Sequence, residues 1–282
     1  MIIGYFNMRT IIKKYLLLFI YWTKFILLLI IFGLLFRILF FEVYKITSPS
    51  MEPTLLSGDI ILVSKMTYGP RLLRIFKYFK NKDIEYFRIA QNNMVQKGDV
   101  VVFNWPDYGS FLSSSASIFG TPLIKRCIGL SGDSILIRKE GPYIIESNEI
   151  LFPFDTALKW SLDHYGPLFI PGKGKKIELS QTNILRYHDI LRYENPISLF
   201  PGDRMVLNDN ELIKYAFKQN YYFMIGDNFY YSQDSRYWGF LPEGNIIGKA
   251  IIIVFSVNSK ESGFKKVRYN RIMKQIKRIT YE

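Results

Sequence analysis

A chain of 282 residues that is 49% hydrophobic and 17% aromatic is long enough to bury a sizeable core and too apolar to be mainly disordered. A formal charge of +13 favours an anionic partner, nucleic acid or a phospholipid surface. The single cysteine, Cys127, excludes an intrachain disulfide, and the two histidines, His164 and His188, leave little for a zinc site.

The first element lies at residues 15–41, YLLLFIYWTKFILLLIIFGLLFRILFF, almost wholly apolar and interrupted by Lys24 and Arg37. About 20 helical residues cross a bilayer core, so the run predicts one transmembrane helix and not two. It is too long for a cleavable signal peptide, and no small-x-small cleavage site follows it. Arg9, Lys13 and Lys14 precede the run, and Lys24 can snorkel back to join them. These charges predict a cytoplasmic basic tail over residues 1–14, an anchor over 15–43 and an extracytoplasmic domain over 44–282. That topology argues against nucleic acid as the partner.

Beyond the anchor the pattern is that of strands. A Gly-Asp pair opens four β-rich runs: SGDIILV (57–63), KGDVVVF (97–103), SGDSILI (131–137) and PGDRMVL (201–207). Gly and Asp suit a turn, and the β-branched and aromatic residues suit the strand that follows, so the pairs are read as turns and not as ligands. GKAIIIVFSV (248–257) predicts a buried strand. Helical periodicity is scarce outside the anchor and the C-terminus. The expected fold is therefore mainly β, with an irregular β insertion subdomain around residues 140–200. The serine-rich GSFLSSSASIFG (109–120) reads as a flexible loop. In the basic tail, residues 263–282, Val267, Ile272, Ile276 and Ile279 fall near one helical face. Such a face suits either anionic lipid headgroups or the domain itself.

Just outside the anchor, SPSMEPTL places Ser48 and Ser50 astride a proline. A polar linker is one reading; a nucleophile is the other, and a nucleophilic serine needs a base. A Ser-His-Asp arrangement is disfavoured, because both histidines fall in the irregular insertion and no G-x-S-x-G elbow exists. No serine has a lysine three positions later, so the S-x-x-K pattern is missing too. A lysine distant in sequence serves only if apolar burial disfavours its charge. Lys125, in PLIKRCIG, has Leu123, Ile124, Cys127 and Ile128 around it. Taken alone it reads first as an ordinary strand lysine reaching solvent, since buried lysine is rare.

Taken together, SPSMEPTL, GDIILVSK, KGDVVVF, LIKRCIGLSGD and GDNFYYSQDSRYWGFLPEGNIIGKA stand in the order and approximate spacing of one family. The chain resembles bacterial type I signal peptidases, membrane-bound Ser-Lys endopeptidases that remove signal peptides from exported proteins. The likeness runs from about Tyr44 to the end of IIIVFS, and weakly through VRYNRIMKQI. It implies a signal-peptidase-like β-rich catalytic domain in the inner membrane, with its N-terminus cytoplasmic and its catalytic face on the periplasmic side.

By position, the resemblance makes Ser50 the nucleophile and Lys125 its general base. Ser48 matches the serine whose hydroxyl joins the Ser50 N–H in the oxyanion hole. Ser232 matches a serine that hydrogen-bonds and orients the lysine. Asp227, Asp234, Arg236 and Arg126 match a charged network beneath the site. Tyr44, Ile46, Leu55 and Ile124 align with positions lining shallow pockets for small P1 and P3 side chains. The expected geometry sets both serines along one extended strand, so that their side chains share a face.

Two departures stand out. Pro49 replaces a glycine common between the serines, but proline removes only its own N–H and leaves that of Ser50. Phe229–Tyr231 replace a more polar run and leave Asp227, Ser232, Asp234 and Arg236 in register, a local surface change. The implied partners are signal peptides of preproteins, the phospholipid membrane and the export translocon. No cofactor, metal or nucleic acid is implied. Rival readings are a single-substrate Ser-Lys peptidase of pilus or conjugation type and a non-catalytic membrane-anchored assembly module. A self-cleaving repressor relative is opposed by the anchor and by the absence of a DNA-binding motif.

Overall fold

The computed structural model describes residues 2–69, 71–73, 86–88, 94–106, 122–138, 141–145, 165–179, 184–194 and 213–279. The PGDRMVL run, the serine-rich loop at 109–120, His164 and much of the expected insertion lie outside these residues. The chain forms two units, Met1–Glu42 and Val43–Glu282.

The first unit is a helix over Ile2–Phe40, apolar all round with no polar stripe. Its stretch Ile12–Arg37 has 26 residues, none buried. At 1.5 Å per residue these rise ~39 Å, against a bilayer core of ~30 Å. The helix is therefore long and apolar enough to cross a membrane. It ends at Phe40, where the chain turns extended.

The second unit is β-rich. In chain order its strands are β1 (Phe41–Lys45), β2 (Asp59–Ser64), β3 (Arg71–Leu73), β4 (Tyr86–Arg88), β5 (Val100–Phe103), β6 (Leu123–Gly129), β7 (Ser134–Arg138), β8 (Gly141–Ile145), β9 (Tyr165–Phe169) and β10 (Lys176–Leu179). They continue with β11 (Ile213–Ala216), β12 (Tyr221–Ile225), β13 (Leu241–Pro242), β14 (Ile246–Ser256) and β15 (Lys274–Gln275). An eight-stranded sheet runs β1-β2-β14-β5-β6-β12-β13, with β15 also on β14. The pairings of β5, β6, β12 and β14 are antiparallel.

The three described Gly-Asp pairs that open strands are the same turn. The N–H of Asp59, Asp99 or Asp133 donates to the carbonyl three residues back, while its carboxylate accepts from that residue's N–H. Glycine precedes each Asp at φ of 82–98°, which a side chain rarely tolerates. Each turn launches a strand, as expected. Within β5, Val100 and Val102 pack with Ile61, Val63, Met51 and Leu55, whereas Val101 and Phe103 pack with Tyr68, Cys127 and Trp238. A strand buried on both faces reads as an unbroken apolar run. Cys127, on β6, is wholly buried, and burial pushes its thiol well above the ordinary range.

Two expectations need correction. The insertion contains a helix, Ile184–Glu194, which buries Tyr187, Ile190 and Leu191 at the three- and four-residue spacing of a helical stripe. At its end, the Glu194 carboxylate accepts from the hydroxyls of Tyr215 and Tyr221, each at 2.7 Å, and from the Lys218 N–H at 3.0 Å. Replacing Glu194 with Ala removes the hydrogen bond of the buried Tyr221 hydroxyl to the carboxylate and should cost roughly 1–3 kcal/mol. A thermal melt checks this: an unchanged midpoint means the carboxylate does not staple the helix.

The tail is the second correction, because its periodicity is not helical in space. Short 3-10 turns at Gly263–Lys266 and Tyr269–Arg271 lead into β15. Arg271 is buried against Asp59, with Nη2 2.6 Å and Nε 3.1 Å from the carboxylate oxygens. Burial alone would raise the Asp59 pKa, but bonds from Arg271 and Ser256 hold it below its usual value. The Ile276 N–H donates to the Ile251 carbonyl at 3.0 Å, and its side chain joins the core. Of the two readings of the tail, packing on its own domain is the one observed.

Candidate active site

Leaving β1, the chain is held to the Asp59 turn by Ile46 N–H bonded to the Asp59 carbonyl at 2.8 Å. It then coils instead of continuing extended: Glu52 N–H donates to the Pro49 carbonyl at 3.0 Å, and Leu55 N–H to that of Met51 at 2.8 Å. Met51 and Leu55 plug this coil into the core. The serines therefore sit at the mouth of a turn, not along a strand, yet their hydroxyls still meet, with Oγ atoms 3.2 Å apart. Ser48 is exposed, whereas Ser50 is buried.

Lys125 enters from β6, opposite Val101 of β5. Its Nζ lies 2.7 Å from Ser50 Oγ, and the side chain is 4% exposed. Burial pulls the amine down to about 8, although the carboxylates of Asp234 and Asp227 pull it back up. At that value roughly a tenth of Lys125 is neutral at pH 7, whereas an exposed lysine is almost wholly protonated there.

The next residue, Arg126, is fully buried. It grips Asp227 through Nε at 2.7 Å and Nη2 at 2.6 Å. Nη1 bonds the carbonyls of Gly98, at 2.7 Å, and Lys277, at 3.1 Å, and Nη2 also reaches Thr54 Oγ1 at 3.3 Å. All five guanidinium protons are thereby satisfied, tying four separate segments together. A second buried pair joins Asp234 to Arg236, at 2.8 and 2.9 Å, and Asp234 also accepts from Gly226 N–H at 3.1 Å. The Arg236 guanidinium lies 3.8 Å over the Phe229 ring. Phe229 thus supports a buried ion pair, while Tyr230 and Tyr231 are exposed.

The expected bond from Ser232 to the lysine is not formed. Ser232 is buried, but its Oγ has no hydrogen-bond partner among the described residues. It rests against Gly226, where a Cβ would lie 2.2 Å from that hydroxyl and 2.5 Å from the Ser50 carbonyl oxygen. Gly226 was not singled out by sequence reasoning, although it opens the GDN block; neither were Thr54, Asn228 and Lys277, which touch the site mainly through main-chain or amide bonds. Ile46 and Leu55 are buried in one cluster with Met51, and Tyr44 and Ile124 pack against its edge. His188 pairs with Asp189 at 3.0 Å on the insertion helix.

Serine hydrolase is the class that this β-scaffold and its hydroxyl–amine pair define. Within it, the chain belongs to the signal peptidase family, peptidase S26, whose model matches residues 19–255. It is 33% identical to signal peptidase I of Buchnera aphidicola subsp. Schizaphis graminum over 259 residues, 84% of this chain and 75% of that one. Identity to signal peptidase I of Aquifex aeolicus is 30% over 250 residues, 82% of each chain. For the Haemophilus influenzae signal peptidase I it is 28% over 264 residues, 83% of this chain and 70% of the relative. The protein is accordingly a serine peptidase.

Proposed function

We propose that this chain removes N-terminal signal peptides from exported preproteins with Ser50 and Lys125 as its catalytic pair. The observation that carries the reading is the 2.7 Å approach of a buried amine, with its pKa lowered, to a buried hydroxyl. Neutral Lys125 takes the Ser50 proton as Oγ bonds to the scissile carbonyl carbon. The resulting ammonium protonates the departing amine as the C–N bond breaks, leaving an ester on Ser50. Lys125 then removes a proton from water, which attacks the ester, and the Ser50 hydroxyl is restored.

The developing oxyanion needs donors that are free in the ground state or can turn toward it as Ser50 Oγ attacks. Ser50 N–H bonds no acceptor among the described residues, and Ser48 Oγ stands 3.2 Å from the attacking oxygen. Each such donor is worth about 3 kcal/mol in the transition state. Arg126 and Arg236, with their aspartates, support this geometry from below. The helix over Ile12–Arg37 serves as the membrane anchor in this reading, with the N-terminus cytoplasmic and the catalytic unit across the bilayer.

Tyr44 and Ile124, packed on the cluster that buries Ile46 and Leu55, offer a narrow apolar surface, which suits small side chains at P1 and P3 and excludes large ones by clash. Purified full-length protein in detergent should cleave a model preprotein after Ala-x-Ala. Replacing P1 Ala with Phe should lower kcat/KM by roughly 5- to 150-fold, since overpacking a filled site costs about 1–3 kcal/mol. Efficient cleavage after Phe would overturn the pocket assignment, and no cleavage of any preprotein would overturn the function.

A further inference from the structure

The nucleophile's peptide is held from outside by a residue that neither attacks nor donates to substrate. Asn228 donates its side-chain Nδ2–H to the Pro49 carbonyl at 3.1 Å and its backbone N–H to the Ser50 carbonyl at 3.1 Å. Its own carbonyl accepts from Tyr231 N–H at 3.0 Å, which closes the 3-10 turn Phe229–Tyr231 behind it. Its neighbour Asp227 is fixed on Arg126, so the clamp stands on the buried ion pair. Gly226, lacking a Cβ, lets the Ser50 carbonyl come close.

The Pro49 carbonyl and the Ser50 N–H are two ends of one planar peptide unit, and in a trans peptide they point in opposite directions. The carbonyl accepts from Asn228 Nδ2–H and, within the turn, from Glu52 N–H at 3.0 Å, and the donors that fix the carbonyl together fix the direction of the N–H. Pro49 contributes no N–H of its own, so within the Pro49–Ser50 pair the backbone donor is the Ser50 N–H. A hydrogen bond accepted at one end of an amide also polarises the other end, making the N–H a stronger donor.

The geometry points to Asn228 as a positioning residue that aims and polarises the Ser50 N–H of the oxyanion hole. The inference rests on the reading of Ser50 as nucleophile and adds to it a part for the GDN segment. Asn228 touches no reacting atom. It acts through the Pro49–Ser50 peptide, with an effect confined to states in which the carbonyl oxygen carries charge.

The test uses full-length protein in detergent, with Asn228→Asp and Asn228→Ala compared with wild type. Asp keeps the shape but turns an oxygen toward the Pro49 carbonyl. Both variants should lower kcat roughly tenfold with KM unchanged, less than the 10²–10³ expected for deleting a whole donor. A peptide aldehyde ending in alanine forms a tetrahedral adduct on Ser50, and the variants should bind it about tenfold more weakly. The matching peptide amide, which places no charge in the hole, should bind all three proteins alike. Pro49–Ser50 is the only Pro-Ser pair in the chain, so ¹³C′-proline and ¹⁵N-serine labelling isolates the Ser50 amide signal. In the variants the Pro49 carbonyl carbon should move upfield, which reads the bond directly even in a variant of low activity. Unchanged kcat and aldehyde affinity, equal losses for aldehyde and amide, or an unmoved carbonyl signal would each overturn the clamp while leaving the Ser-Lys reading intact. An active Ser50→Ala control would instead overturn that reading.

Discussion

Lys125→Arg is expected to process no preprotein, although it keeps the positive charge, because a guanidinium does not release a proton at working pH. In the wild type, activity should climb with pH through about 8, the value to which burial lowers this amine. The sign follows from the role: below that pH the base is protonated and idle, and above it the amine is free to accept. Lys125→Met should be equally inactive and yet more stable. The folded pKa lies below that of a free lysine, 10.5, so folding at pH 7 disfavours a proton that the unfolded chain holds. The two values imply an excess of up to about 3 kcal/mol for Lys125→Met at pH 7, shrinking as pH rises from about 8 past 10.5. Thermal melts and preprotein cleavage across pH test both halves. An active Lys125→Arg, or a rising limb that survives removal of Lys125, assigns the base elsewhere.

Ser50→Ala should lose activity on the order of 10⁶-fold, as removal of a nucleophile from a pair that works as a unit does. Its fold should persist, since the change deletes one oxygen from a coil plugged in place by Met51 and Leu55. The decisive measurement pairs a melt with mass spectrometry after mixing with substrate: wild type carries an acyl adduct on Ser50, and the variant carries none. A folded Ser50→Ala protein that cleaves preprotein ends the proposal outright.

The strands were legible because their signals are local. A Gly-Asp turn followed by β-branched residues carries its own geometry, and β2, β5 and β7 each begin at such a turn. The long apolar helix was legible for the same reason. The site was not, except through resemblance: Ser50 and Lys125 are 75 residues apart, and no periodicity relates them. The tail misled because Ile272, Ile276 and Ile279 imitate a helical stripe, whereas the buried Arg271–Asp59 pair and the open edge of β14 decide its path. The insertion helix hid in a polar stretch whose buried stripe, among the described side chains, is Tyr187, Ile190 and Leu191. Asn228 left no trace either, since an amide that grips main-chain carbonyls has no partner side chain to pair with in sequence.

The burial of Cys127 bears on the company this enzyme would keep. Thiol–disulfide exchange requires a thiolate that can be reached. Cys127 offers neither, being wholly enclosed in the sheet with its thiol held protonated. Polypeptides that arrive unfolded, with their own cysteines still unpaired, therefore find no thiol on the described surface to capture them. Their thiols are left to react with one another or with dedicated oxidants, and the peptidase can release each product without a mixed disulfide as a dead end. The same inertness leaves a silent background, so that a cysteine introduced at an exposed position can be labelled selectively with Cys127 in place.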